Sequence, residues 1–167
     1  ALRRLDDALA RNEKVYAVLR GLGAASDGKG KSLMAPNSRG QVLAMRRAYA
    51  QAGYAPHHVQ YVECHATGTN LGDLTEFQSL QEVFGAQAPR GAIRLGGVKE
   101  LTGHLQAASG AAGLMKAALA LHHKFLPPQH SFREAAEGID LARSAFHISN
   151  QGRPWPEVQG GPRRASV

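Results

Sequence analysis

Val59-Gln60-Tyr61-Val62-Glu63-Cys64-His65-Ala66-Thr67-Gly68-Thr69 is the stretch that decides the architecture. Residues 59–64 alternate and are rich in β-branched and aromatic side chains, the pattern of a strand. A polar, glycine-containing turn follows. Asn70-Leu71-Gly72-Asp73 then leads into a helical run over 73–84 that Gly85 closes. The unit recurs downstream, with a strand over 93–98 and a long Ala/Gly-rich helix over 104–123. Upstream, residues 15–22 are apolar and β-branched and predict a buried strand. Pro36 and Asn37-Ser38 open a helix that runs to about Gly53, a good terminator. Leu2, Leu5 and Leu9 are spaced for a short amphipathic helix. Phe125-Leu126-Pro127-Pro128 reads as a loop, 146–149 as a fourth short strand, and Gly152, Pro154 and Pro156 as a turn region. Strands alternating with helices of 12–20 residues argue for an α/β layered domain.

Composition bounds the rest. A chain of 167 residues is one domain or part of a larger one. Apolar residues make up 43 %, which excludes a wholly disordered chain. Aromatics are only 6 % while glycines number 19, so the core must pack by close backbone approach. A single cysteine excludes an internal disulfide framework and any zinc site that needs two thiolates. It also fits a reducing, cytoplasmic setting. The longest apolar stretch, 111–121, is too short to span a bilayer and contains Lys116. The first residues lack the apolar core of a signal peptide, and both ends read as cut. The net charge of +7 points to an acidic partner, or to nothing more than a basic surface.

Several candidate sites fail on their own chemistry. Gly23-Ala24-Ala25-Ser26-Asp27-Gly28-Lys29 spells a phosphate-loop pattern, but Gly30 stands where the magnesium-binding hydroxyl is needed. In the overlapping Gly30-Lys31-Ser32, Ala25 replaces the first glycine. The segment reads as a surface loop. His57-His58 and His122-His123 are adjacent pairs whose side chains diverge, so neither chelates a metal well. Cys64 beside His65 suggests a dyad, yet successive strand residues face opposite ways. Cys64 therefore reads as a small buried residue. No groove-reading or aromatic–basic pattern points to nucleic acid.

Two clusters are stronger. His65-Ala66-Thr67-Gly68-Thr69 lies at a strand end, where polar function collects in α/β folds. Two threonine hydroxyls beside a histidine suit an amide-bearing ligand. Asp73 and Glu76 are spaced as a helix capping box. In the second cluster, Lys99 and Gly103-His104 precede the small-residue run Ala107-Ala108-Ser109-Gly110-Ala111-Ala112-Gly113. A histidine at that helix start is expected to be neutral, and a neutral imidazole can donate to a developing oxyanion.

Together these motifs resemble the C-terminal half of a β-ketoacyl synthase, the ketosynthase domain of polyketide and fatty-acid synthases. Val62 to Thr69 with Gly72-Asp73 and Glu76 is similar to that family's first histidine motif. Gly96-Gly97-Val98-Lys99 with Gly103-His104 and Ala107 to Gly110 is similar to its lysine and second-histidine motif. Arg153-Pro154-Trp155-Pro156 and Arg163-Arg164-Ala165-Ser166-Val167 complete a likeness that runs from about Val15 to Val167. The resemblance implies a thiolase-like layered α/β fold, of which this is the C-terminal half, with a mixed sheet flanked by helices. It implies decarboxylative condensation of a malonyl-type extender with an acyl thioester. His65 and His104 would be the catalytic histidines, Lys99 the supporting lysine, Thr67 and Thr69 the holders of pantetheine amides, and Glu76 part of the network around Lys99. No cofactor is expected to be bound by the chain itself. The phosphopantetheine belongs to an acyl carrier protein, which is the expected partner along with the remaining half of the domain and a second copy in a homodimer. Neither nucleic acid nor membrane is expected.

The departures are specific. Leu74-Thr75 replace the usual Pro-Ile, Glu100-Leu101-Thr102 replace Ser-Asn-Ile, and Gly97 stands where serine is common. The family's nucleophilic-cysteine motif and final glycine-rich loop are not in these 167 residues. The resemblance thus implies a decarboxylation half-site without its acylation half, inactive in condensation alone. Two alternatives stay open: a non-catalytic basic module that docks an acidic carrier, and a thiolase-fold acyltransferase of other specificity.

Overall fold

The computed structural model describes residues 1–28, 35–85, 87–157 and 161–167. Lys29, Gly30, Lys31 and Ser32 of the phosphate-loop patterns fall outside these. The described elements are α1 (Leu5–Ala10), α2 (Ser38–Ala52), β1 (Tyr61–Glu63), α3 (Asn70–Phe84), β2 (Ile93–Gly96), α4 (Lys99–Thr102), α5 (Ser109–His123), β3 (Phe125–Leu126), β4 (Phe146–His147), β5 (Arg153–Pro154) and β6 (Ala165–Ser166). The order of the main sheet is β4-β2-β1-β6, and all three pairings are parallel. The antiparallel component is confined to a ribbon of β3 with β5. No described helix is long and apolar enough to cross a membrane.

β1 lies inside the sheet and is buried on both faces, so its sequence alternation separates two cores and not core from solvent. On one face Val59, Val62, Ile93, Leu95 and Phe146 meet Tyr49 of α2 and Leu80 and Phe84 of α3. The Tyr49 and Phe84 rings meet edge-on at 5.5 Å, within the range aromatic pairs favour. On the other face Tyr61 packs with Ala117 and Ala120 of α5, Leu126 and Trp155. Small residues let α5 lie close. A Cβ on Gly113 would come within 3.1 Å of Glu63 Cγ and 3.2 Å of Val167 Cγ1.

α2 starts and stops where the sequence predicts. Asn37 Oδ1 accepts the Arg39 N–H, and Gly53 ends the helix at φ 75°. Other expectations need correction. Residues 15–22 form no strand, because no ladder partner lies beside them among the described residues. Their side chains Tyr16, Leu19 and Leu22 are exposed, and the segment is tied to α2 through Leu22 N–H on Gln51 Oε1. The helix expected from 104 starts at Ser109. Gly103 at φ 68° and Gln106 at φ 53° break the chain before it, so His104 sits in the connection. β3 lies where a loop is expected, and β6 adds an unanticipated sheet edge, because two-residue strands carry no pattern of their own.

Candidate active site

The first histidine follows β1 directly. Cys64 N–H donates to Gly96 O at 2.7 Å, which carries the ladder one residue past the strand. The chain then turns sharply, and Ala66 takes φ 38°, a left-handed conformation unusual for alanine. Glu76, in the second turn of α3, reaches back to hold this turn. Its carboxylate accepts His65 N–H at 2.7 Å and Ala66 N–H at 2.9 Å. The expected capping box is therefore absent. Thr69 is the N-cap, with Oγ1 accepting Gly72 N–H at 3.2 Å, and Asp73 Oδ1 accepts Gly68 N–H. Thr67 Oγ1 lies 3.2 Å from Thr69 Oγ1, and both side chains are exposed.

Lys99 opens α4 and crosses to the first turn. Its ammonium donates to the His65 carbonyl oxygen and lies 3.4 Å from His65 Nδ1. An ammonium has no lone pair, so Nδ1 must be the acceptor and the ring proton sits on Nε2. Burial, then the Lys99 cation, then His104 push the His65 pKa below its ordinary value, against the opposing pull of Glu76 and Asp73. Glu76 meets the backbone of His65 and makes no ion pair with Lys99 among the described residues.

His104 is held in the same sense. Its Nδ1 accepts the Gln106 backbone N–H at 3.1 Å and lies 3.1 Å from Ser109 Oγ. A backbone N–H only donates, so the His104 proton also sits on Nε2. The two exposed rings stand edge to face, with centroids 5.4 Å apart and planes at 84°. Neither Nε2 has a hydrogen-bond partner among the described residues. The arrangement presents two adjacent neutral N–H donors, the chemistry that stabilises a developing oxyanion.

Cys64 plays no part in this. It packs against the apolar core on the α2–α3 side, and burial, with the Glu76 and Glu63 carboxylates nearby, pushes its thiol pKa well up. The paired histidines 57–58 and 122–123 each meet edge-on, and no group of three or more metal-ligating side chains exists among the described residues.

Four supporting residues are given no role by the motif reading. Glu63, 4 % exposed, accepts Val98 N–H from the second turn. Gln129 brackets Gly97 with both ends of its amide, at 2.8 and 3.2 Å. Glu100 accepts His130 N–H and Ser131 N–H. Buried Arg94 donates to the carbonyls of Leu126 and Gln151. In sequence, the one signal for Glu63 was a charge inside an otherwise apolar strand.

Residues 16–133 match the family model described as beta-ketoacyl synthase, C-terminal domain. The chain belongs to that family. It is 39 % identical over 166 residues to the mycocerosic acid synthase-like polyketide synthase of Mycolicibacterium smegmatis, covering 99 % of this chain and 8 % of that protein. It is 40 % identical over 167 residues to the 6-methylsalicylic acid synthase of Penicillium patulum, covering 99 % and 9 %. Among solved structures, the ketosynthase from module 6 of the bacillaene synthase of Bacillus subtilis 168 aligns with TM-score 0.92 at 35 % identity, over 98 % of this chain and 30 % of that one. The chain thus spans less than a tenth of these two synthases and corresponds to the C-terminal domain of a ketosynthase with the thiolase-like α/β fold. The departures from the family pattern leave His65 and His104 together. Thr75 Oγ1 turns back onto Leu71 O, Glu100 caps residues 130 and 131, and a Cβ at Gly97 would stand 3.3 Å from Ala66 Cβ.

Proposed function

We propose that this chain forms the decarboxylating, thioester-binding half of a polyketide-type ketosynthase site. The observation that carries the reading is the matched pair of imidazoles. Both are held through Nδ1, both leave Nε2–H unengaged, and their rings lie 5.4 Å apart. When a malonyl thioester loses carbon dioxide, the electron pair of the breaking C–C bond passes into an enolate. Negative charge builds on the thioester oxygen. Two preformed N–H donors, from His65 and His104, stabilise that charge without reorganising. The enolate carbon then attacks an acyl thioester, and the thiolate of that thioester departs. Lys99 places a positive charge beside His65 and disfavours its protonation. Thr67 and Thr69 offer exposed hydroxyls to the amides of a phosphopantetheine arm. The Thr69 oxygen accepts Gly72 N–H and the two hydroxyls share one hydrogen between them, so the pair keeps one hydrogen to donate.

The acyl-accepting thiolate comes from outside these 167 residues. The one cysteine here is packed into the core and held as a thiol. The partners follow: an acyl carrier protein, the cysteine-bearing remainder of the ketosynthase, and a second copy in a cytoplasmic homodimer. The positive net charge suits an acidic carrier. The test is to make His65→Ala and His104→Ala in the synthase that carries this chain. Each is expected to abolish decarboxylation of malonyl carrier protein and to leave carrier binding intact. Undiminished decarboxylation in both variants overturns the reading. Condensation by the 167 residues alone would overturn the assignment of the nucleophile elsewhere.

A further inference from the structure

Glu63 ties together the three elements that carry the site. Its Oε2 accepts the Tyr61 hydroxyl and pairs with the Lys116 ammonium at 2.9 Å, and its Oε1 accepts the Val98 backbone N–H. Glu63 ends β1 two residues before His65. Val98 precedes Lys99. Lys116 lies on α5 two turns beyond Ser109, which contacts His104. The Glu63 side chain is 2 % exposed and that of Lys116 13 %, so removing either partner leaves the other unpaired away from water.

Two lysines lie within this framework. Lys99 adjoins the residue whose N–H Glu63 accepts, and its ammonium rests on the His65 carbonyl, two residues along the strand line from Glu63. Yet Lys116 holds the carboxylate, and Lys99 makes no ion pair among the described residues. We propose that Lys116 is a positioning residue: by occupying Glu63 it keeps Lys99 off that carboxylate and against His65 Nδ1. The proposal rests on the reading of His65 as a neutral donor. The charged and titratable groups facing His65 are Asp73 and Glu76 of α3, Lys99 of α4 and His104 of the connection. Of these, Lys99 is the one that an unoccupied Glu63 would draw away.

The test is the titration of His65, followed by NMR in histidine-labelled protein. Lys116→Met frees Glu63 to recruit Lys99. The His65 midpoint is then expected to move up, and the acid limb of decarboxylation kcat to move with it at unchanged KM. Lys116→Arg should retain the original midpoint. Glu63→Gln with Lys116→Met removes the competitor and should restore it. A loss of packing alone would not reverse on adding a second core substitution. An unmoved midpoint in Lys116→Met, or no return in the double variant, overturns the proposal. If Lys116→Met does not fold, Glu63→Gln alone decides: His65 should titrate as in the wild type, and an upward shift overturns the proposal. The midpoint is read without turnover. Failure here therefore stands apart from failure of the functional reading, which shows as retained decarboxylation in His65→Ala and His104→Ala.

Discussion

The turn after β1 closes over residues 64–69, whereas the turn after β2 takes residues 97–108 to reach α5. Most of what holds the first comes from its own helix: Thr69 caps α3, and Asp73 and Glu76 bond back to the turn's backbone N–H groups. The second is pinned mainly from elsewhere. Glu63 of β1 takes Val98 N–H, and Gln129, far along the chain, brackets Gly97. His104 alone is steadied locally, by Gln106 and Ser109. One histidine-bearing turn is a local construction and the other is an assembly of distant parts, yet both deliver the same product, an imidazole with Nδ1 engaged and Nε2 unengaged.

The difference can be broken at Glu63, which leads into the first turn along the chain and accepts a backbone N–H from the second. Glu63→Ala strands the Lys116 cation in the interior, and removing one partner of a buried ion pair costs about 3–5 kcal/mol. Urea unfolding should show that loss, with amide exchange accelerated at both Cys64 and Val98. A loss confined to one turn would mean that Glu63 does not join them. Glu76→Ala should cost less, about 2 kcal/mol, for two charge-assisted hydrogen bonds in a part-exposed setting. Its mark is selectivity: exchange at His65 and Ala66 rises while Gly97 and Val98 keep their protection. Gln129→Ala is the mirror experiment and smaller, about 1 kcal/mol, with exchange rising at Gly97 and unchanged at His65. Equal effects of the last two variants at both turns would erase the contrast.

The same contrast explains what the sequence could disclose. Strand, turn and helix around His65 are legible because each device lies within a dozen residues and has a composition signature. Even so, Asp73 and Glu76 read as a cap, because the spacing of a capping box cannot reveal that a threonine four residues before Asp73 already fills that role. The second histidine is legible as a motif, but its setting is not. Gly103 and Gln106 take positive φ and delay the helix to Ser109, and periodicity does not register a conformational break in the residues that lead into it. Glu63, Lys116, Gln129 and Arg94 were illegible as site supports because their partners lie far away along the chain, and pairing at that distance is set by the parallel sheet order. Residues 15–22 carry a strand pattern without a strand, since alternation describes what a segment can pair with and not whether a partner is present.

The smallest expected effect concerns the charge state that the first turn imposes. His65 has a folded pKa below its ordinary 6.5, with burial the leading cause and Lys99 next. Between the folded and unfolded values the unfolded chain binds more protons, so this residue makes stability rise with pH. Its contribution is whole above the ordinary value, falls as the pH drops below it, and is fully lost once the pH is under the folded value. His147, lowered mainly by its own burial, adds a slope of the same sign from the far edge of the sheet. His65→Gln isolates the first turn. Urea unfolding across pH 5–7 should give a shallower slope in that variant than in the wild type. An unchanged slope would place the effect at the other two lowered histidines, His122 and His147, and leave Lys99 without electrostatic influence on the histidine it touches. A slope that vanishes would assign it entirely to the site. The intermediate result is the expected one, because desolvation leads the lowering at His65, His122 and His147 alike, and His65→Gln removes one of the three.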